Sequence, residues 1–250
     1  MAIEELEGII QEEEDLQIRT RGLTKYFGRH LALRGIDLQV PKNQRLTLFG
    51  TNGAGKTTLL KILATLLKPS SGTVEVAGWD IQDHSVDIRK SIGVVSHHTM
   101  LYDDLTAYEN LKYYGRMYGI PDTEERIRDV LDKVGLSSRV HDRARTLSRG
   151  MQQRLSIARA LMHNPEIMLL DEPETGLDQH ATLMLGEMLD ISGYSERTTI
   201  MSSHNLERGF DLADRIVILN RGSIVFDERK GSVDLVDVQE SYSQYSGAIR

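Results

Sequence analysis

The sequence of 250 residues contains no cysteine and no long apolar run, and each absence excludes a class of protein. Without cysteine there is no disulfide framework, no thiolate metal site and no thiol catalysis. No stretch approaches the roughly 20 consecutive apolar residues that a membrane-spanning helix needs. The N-terminus has neither the basic flank nor the apolar core of a secretion signal, so we expect a cytoplasmic protein.

An excess of basic residues is also missing. The sequence has 30 Lys and Arg against 37 Asp and Glu, which gives a net charge of −7. This balance argues against a broad nucleic-acid-binding surface and leaves room only for a local basic groove. With 40% apolar and 27% charged residues, the chain can bury the core of one large α/β domain, or of a core with one inserted lobe.

The pattern of apolar and charged residues divides the chain into segments. Residues 1–16 are rich in Glu and Asp, which predicts a solvated or mobile lead-in, with a regulatory acidic arm as the alternative. Residues 17–230 alternate strand and helix patterns, and residues 87–162 within them have helical texture. Residues 231–250 predict a weakly packed tail with at most one docked turn. The predicted strands are 16–20, 36–40, 45–49, 72–78, 167–170, 198–202, 216–219 and 223–226, and the clearest predicted helices are 57–67 and 124–134.

A glycine-rich loop directly follows the predicted strand 45–49. It consists of Gly50-Thr51-Asn52-Gly53-Ala54-Gly55-Lys56-Thr57 and fits the pattern G-x-x-x-x-G-K-[ST]. Glycines let backbone N–H groups turn inward around phosphate oxygens, and the helix that follows adds the positive end of its dipole. We expect Lys56 to reach the β- and γ-phosphates and the Thr57 hydroxyl to bind Mg²⁺. A glycine turn that holds a lysine by chance is the alternative.

Two carboxylates stand at the end of a second apolar segment, Ile167-Met168-Leu169-Leu170-Asp171-Glu172. Four apolar residues in a row predict a strand covered on both faces. Ligands of open parallel sheets bind at the carboxyl ends of the strands, so Asp171 is expected to face the metal and Glu172 an attacking water. The alternative is that Asp-Glu-Pro simply starts a helix. Together with the glycine-rich loop, these carboxylates predict a nucleotide hydrolase or a kinase.

A third motif, Leu147-Ser148-Arg149-Gly150-Met151-Gln152-Gln153-Arg154, opens an amphipathic helix. A serine and a glycine at a helix start form an anion site, although plain helix capping is the alternative. With this motif between the other two, the chain resembles the ATP-binding-cassette (ABC) ATPases. The motif departs from the usual Leu-Ser-Gly-Gly-Gln, because Arg149 replaces the first glycine and Met151 the glutamine. Ser148 and Gly150, which would touch the γ-phosphate, are retained.

The resemblance covers about residues 17–226 and implies a P-loop NTPase fold. Its parts would be a RecA-like core, an antiparallel β subdomain and an inserted α-helical subdomain. Phe27 resembles the aromatic residue that stacks on adenine, with Tyr26 or a plain core aromatic as alternatives. Thr58 would join the phosphate-binding residues, Asp178 in Thr175-Gly176-Leu177-Asp178 would hold a dimer interface, and His204 resembles the histidine that hydrogen-bonds the γ-phosphate.

One position departs from the family, which has a glutamine where this chain has His97, with His98 beside it. A neutral imidazole offers one acceptor to Mg²⁺ or to its water. A protonated imidazole would be repelled by the metal, which predicts activity that falls on mild acidification. The alternative is that His97 only packs in a loop.

The resemblance also implies partners. Two ATP molecules would lie between two copies of the chain in a head-to-tail dimer, or in a pair of such ATPases, each site joining residues 50–58 of one copy to Ser148 and Gly150 of the other. Glu172 would polarise water, while Lys56, His204 and Mg²⁺ would neutralise the γ-phosphate. The family's commonest task implies a separate integral-membrane transporter subunit, with this chain on the inner face of the cell membrane.

The subfamily is suggested by residues 96–106, 147–154 and 204–209. Together they resemble most the CcmA-type heme-exporter ATPases of cytochrome c maturation. ATPases of ABC-2-type drug and antibiotic exporters are the second interpretation. A soluble ABC protein that acts on ribosomes or DNA fits less well with a single cassette and an acidic balance. A small-molecule kinase would lack the Ser148 motif.

Overall fold

The structure, a computed structural model, describes residues 16–96, 98–174 and 197–246. In this part of the chain the strands are β1 (Leu16–Phe27), β2 (His30–Pro41), β3 (Arg45–Phe49), β4 (Ser71–Val76), β5 (Trp79–Asp80), β6 (Ile92–Val95), β7 (Ile167–Asp171), β8 (Thr198–Ser202), β9 (Arg215–Asn220) and β10 (Ser223–Arg229). The helices are α1 (Lys56–Leu63), α2 (Ser85–Ser91), α3 (Ala107–Met117), α4 (Thr123–Lys133), α5 (Arg149–Leu161), α6 (Leu206–Leu212) and α7 (Leu235–Ser246).

Four strands form an antiparallel sheet in the order β2-β1-β4-β5. β1 and β2 are longer than predicted, because the turn Gly28-Arg29 lets them pair from Leu16 and Pro41 up to Phe27 and His30. Gly28 has φ 58°, a conformation that suits glycine in a tight turn. The hairpin therefore carries Phe27 and His30 out to one end of the sheet.

A six-stranded sheet has the order β10-β9-β3-β8-β7-β6, and its strands are parallel except for β10. Alternate residues of β7 point to opposite faces, as the strand pleat requires. Ile167 and Leu169 join one hydrophobic core, while Met168 and Leu170 join another. This burial on both faces explains the uninterrupted apolar run. Because β3, β8 and β7 pair in parallel, their carboxyl ends lie at one edge of the sheet.

The helical lobe consists of α3, α4 and α5, which pack together on the second core. α4 agrees with the prediction of a helix over 124–134, and its buried face carries Ile127, Val130 and Leu131. The lobe begins later than the predicted boundary at residue 87, because β6 belongs to the six-stranded sheet and pairs with β7. The α/β class with an antiparallel β subdomain and inserted helices is confirmed.

Two helix ends differ from the predictions. α1 ends at Leu63, four residues early, because Thr65 adopts φ 60° and breaks the helical path. The prediction of a weakly packed tail over residues 231–250 is wrong, because α7 is a helix of 12 residues whose Val238 is fully buried. The prediction missed it because the anchoring residues Val238 and Tyr242 are spaced four apart among polar neighbours. None of the helices in the described residues is long and apolar enough to cross a membrane.

Candidate nucleotide-binding site

The glycine-rich loop joins β3 to α1, as predicted, and its glycines adopt conformations that other residues rarely take. Gly50, Gly53 and Gly55 have φ angles of 148°, 80° and 112°. A Cβ atom at Gly50 would lie 2.3 Å from the carbonyl oxygen of Leu219, and one at Gly55 would lie 2.9 Å from that of Ala32. Positions 50 and 55 therefore require glycine, both for their backbone conformation and because the backbone of other segments approaches them closely.

Lys56 is buried inside this loop, at 5% exposure. Its Nζ donates to the carbonyl oxygen of Gly50 at 2.7 Å and to that of Thr51 at 3.4 Å. Burial lowers the pKa of Lys56, while the nearby carboxylates of Glu172 and Asp171 act to raise it. The glycine-rich loop thus holds a cationic group at the start of a helix, which is the composition of a phosphate site.

Thr57 and Asp171, the two predicted metal ligands, are in direct contact. Thr57 Oγ1 donates to Asp171 Oδ1 at 3.1 Å, and Ser202 Oγ donates to the same oxygen at 2.9 Å. Hydroxyl and carboxylate oxygens are the donors that Mg²⁺ prefers. In the described part of the chain no group of three or more His, Asp or Glu side chains forms a metal site. The protein donors available here thus fit a Mg²⁺ ion that keeps water and substrate oxygens as further ligands.

Glu172 and His204 form a pair that the sequence did not predict. His204 Nε2 lies 2.5 Å from Glu172 Oε1, and both side chains are partly exposed. The backbone N–H of Glu172 donates to Ser202 Oγ at 3.0 Å, and Glu172 has φ 51°. β7 and β8 are adjacent parallel strands with Asp171 opposite Ser202, so the residues that follow them meet at one edge. Glu172 and His204 were each predicted for the site from their local motifs. Their contact with each other depends on the order of the strands, which the sequence did not predict.

An open cleft of ≈ 210 Å³ adjoins the loop. It is lined by Phe27, His30, Ala32, residues 51–58 and Glu172. Phe27 is half-exposed there, and Lys25 Nζ lies 5.3 Å from the centre of its ring. Phe27, rather than Tyr26, is therefore the aromatic residue that lines the cleft. Sequence reasoning missed His30, because no motif marks it and only the β1–β2 hairpin brings it here.

Ser148 caps α5, and its Oγ accepts a hydrogen bond from the backbone N–H of Met151 at 3.3 Å. Neither Ser148 nor Gly150 is among the residues that line the cleft. α5 does contact the segment after Glu172, because Gln153 Nε2 donates to the carbonyl oxygen of Pro173 at 3.3 Å. The structure thus leaves the predicted anion site of α5 apart from the cleft of its own chain.

His97 and Asp178 lie outside the described residues, so their roles stay predictions. His98 is exposed, and its backbone carbonyl oxygen accepts a hydrogen bond from Ser96 Oγ at 2.9 Å.

Comparison with known proteins identifies related chains. A family model described as "ABC transporter" matches residues 33–175. The ABC transporter ATP-binding protein NatA of Bacillus subtilis is 37% identical over 198 residues, covering 78% of this chain and 80% of NatA. The linearmycin resistance ATP-binding protein LnrL of B. subtilis is 34% identical, covering 83% and 68%. A Nod factor export ATP-binding protein I of Cupriavidus metallidurans is 34% identical, covering 82% and 68%.

A solved structure has the same fold. It is the dimeric post-hydrolysis state of the ATP-binding cassette MJ0796 bound to ADP and Pi, with a TM-score of 0.80 and 26% identity. The match covers 85% of this chain and 98% of that one.

Proposed function

This chain belongs to the ABC transporter family, and we propose on that premise that it is the ATP-hydrolysing subunit of an exporter. One observation carries the proposal. The glycine-rich loop around Lys56 lies at one edge of the parallel sheet. The side chains of Thr57, Asp171, Glu172 and His204 lie at the same edge. This edge is where an open α/β sheet binds ligands.

The residues divide the work of hydrolysis between binding and proton transfer. Backbone N–H groups of residues 51–57 and the Lys56 ammonium hold the phosphates, and Phe27 stacks on the adenine. Glu172 orients a water molecule toward the γ-phosphorus and accepts its proton, while the bond from that phosphorus to the β-phosphate oxygen breaks. His204 holds the Glu172 carboxylate through their hydrogen bond and contributes to the charge around the γ-phosphate. Mg²⁺, held by Thr57 and Asp171, would neutralise charge that develops on the phosphates.

The second half of each site comes from another copy of the chain. Ser148 and Gly150 open α5 at an exposed surface, apart from the cleft of their own chain. The related cassette MJ0796 is a dimer in its ADP-bound state. A head-to-tail dimer would place the α5 start of one copy over the phosphate loop of the other. Asp178 is then expected to hold the interface, and His97 to contact the metal or its water.

The names of the relatives support a proposal for the cargo class. LnrL is named for linearmycin resistance, and the Cupriavidus protein for Nod factor export. These names support the second interpretation, an ABC-2-type exporter of drugs or similar compounds, better than heme export for cytochrome c maturation. A separate integral-membrane subunit would form the transport path, and this chain would bind it at the inner face of the membrane.

Two substitutions test the hydrolytic function. We expect Glu172→Gln to bind ATP but to turn it over at least about a hundredfold more slowly, because the amide cannot accept the proton. Lys56→Ala should lose most ATP binding. Glu207→Gln, an exposed carboxylate at the start of α6, serves as the matched control with unchanged turnover. Phosphate release and equilibrium ATP binding are the measurements. Parent-like turnover by either Lys56→Ala or Glu172→Gln would refute the assigned role.

A further inference from the structure

The C-terminal helix α7 ends beside the phosphate-binding loop, although no sequence motif connects the two. Val238, in the middle of α7, is fully buried in a core that contains Phe49, Ile216 and Ile218. Tyr242 and Tyr245 lie four and seven residues further on, so they share the face of Val238. This face directs the last turns of α7 toward the start of the loop.

Tyr242 and Tyr245 close over the base of the loop. Together with Gly50, Thr51 and residues 218–220 they line a narrow gap that is too small to hold a water molecule. Because no water fits in this gap, the tyrosine side chains limit how far Gly50 and Thr51 can shift toward α7. Gly50 is also held from β9, where a Cβ atom would lie 2.3 Å from the carbonyl oxygen of Leu219. The base of the loop is thus enclosed between β9 and the end of α7.

Residues 51–54 form a wall between two clefts. The candidate nucleotide cleft, with Phe27 and Glu172, lies against these residues. A second cleft of ≈ 490 Å³ is lined by the same residues together with Asn220, Arg221, Gln244 and Tyr245. The loop backbone therefore has the phosphate site on one side and the second cleft, bordered by the end of α7, on the other. A displacement of this helix end would free Gly50 and Thr51, at the base of the loop, to shift.

We infer that Tyr245, supported by Tyr242, is a positioning residue for ATP binding. The inference rests on the proposed function, because it presupposes that the loop binds a triphosphate. A loop with three glycines has many alternative conformations, and ordering it costs free energy when the ligand binds. Tyr245 reduces this cost by holding the loop in its binding conformation beforehand. Its loss therefore weakens ATP binding and leaves the chemical step of bound ATP intact.

The test compares variants of the full chain. Tyr245→Ala should raise the Kd for ATP by about threefold to tenfold, which is the range expected from the loss of one aromatic contact. Its kcat at saturating ATP should stay within about twofold of the parent. Tyr245→Phe keeps the ring and should restore parent-like binding. Val236→Ala is the matched control on the same helix, because Val236 is 57% exposed. Calorimetric titration with ATP and steady-state hydrolysis provide the two constants.

Amide hydrogen exchange separates positioning from mere packing. In Tyr245→Ala without nucleotide, amides 51–54 should exchange faster while those of β3 keep their protection. If Tyr245→Ala fails to fold, Tyr245→Leu takes its place, since it keeps apolar packing without the ring. Parent-like Kd and loop exchange in the folded variant would overturn the inference. Failure of the proposed function looks different, because Lys56→Ala would then bind and hydrolyse ATP as the parent does.

Discussion

At the scale of single residues, the buried carboxylate of Asp171 accepts hydrogen bonds from two other elements. Thr57 at the start of α1 and Ser202 at the end of β8 both donate to Asp171 Oδ1. Thr57 and Asp171 were predicted, because each belongs to a local motif with a known chemical purpose. Ser202 was not, because only the pairing of β7 with β8 makes it a neighbour. The sequence thus identifies the ligands, and the sheet supplies the residue that holds them.

A partly buried histidine away from the site makes stability depend on pH. His163 Nε2 lies 2.9 Å from the carbonyl oxygen of Ile92, and its ring stacks on Tyr118 with centroids 3.9 Å apart. Burial lowers the pKa of His163 from 6.5 to about 4. The hydrogen bond to Ile92 opposes this shift, and the charges of Arg159, Arg126 and Arg197 add to it. The folded chain therefore binds this proton less readily than the unfolded chain.

The sign of the effect follows from linkage. The contribution of His163 to stability is complete above pH 6.5 and is lost as the pH falls from 6.5 to about 4. Its loss amounts to at most about 3 kcal/mol. We expect urea midpoints measured from pH 7.5 to 4.5 to fall less steeply for His163→Gln than for the parent. Parallel curves would contradict the assignment.

At the scale of elements, the sequence predicted most strands of the six-stranded sheet, but β6 was missed because residues 87–162 were expected to be helical. β3 and β8 have the predicted bounds and β7 extends one residue further, because a run of apolar residues between polar turns defines a strand that is covered on both faces. The hairpin β1–β2 and helix α7 were predicted less well. In both, tertiary packing extends an element through residues whose local pattern is mixed.

The start of α5 gives a prediction that separates capping from ligand binding. Ser148 is an exposed N-cap, and Asn and Asp are equally good at this position. Ser148→Asn and Ser148→Asp should both keep the stability of the parent. Only Asp adds a negative charge beside the γ-phosphate of the proposed dimer site.

The two Ser148 variants are compared in a Glu172→Gln background, which is expected to retain bound ATP. Sedimentation with ATP should show a dimer for Ser148→Asn and a monomer for Ser148→Asp. The free energies of unfolding of both variants in urea should stay within about 0.5 kcal/mol of their background. If both variants dimerise equally, Ser148 acts only as a helix cap and does not contact the γ-phosphate.

At the scale of the whole molecule, the six-stranded sheet separates two cores. The antiparallel sheet and α1 pack on one core, and the helical lobe packs on the other. The phosphate loop therefore belongs to one side and the α5 start to the other. This division supports the proposed dimer site, because a single chain presents the two proposed halves at different places.

The cargo and the membrane partner are tested in cells. A strain that carries Lys56→Ala should become more sensitive to antibiotics of the class for which the relatives are named, such as linearmycin, while heme-stained c-type cytochromes stay at the parent level. Purification of the tagged parent chain from solubilised membranes should also yield an integral-membrane protein. The same purification from a strain with the untagged chain is the control. Loss of c-type cytochromes with unchanged drug sensitivity would support heme export instead.

The sequence by itself determined which residues are candidates for the chemistry of the site. A glycine-rich loop, a carboxylate pair and a capped helix start are each encoded within a few consecutive residues, because backbone conformation and helix dipoles act locally. The tertiary structure alone decided which residues meet: Glu172 with His204, His30 beside Phe27, and Tyr245 against the loop. These contacts join residues far apart in the chain, and they depend on strand order and helix docking, which no local pattern specifies.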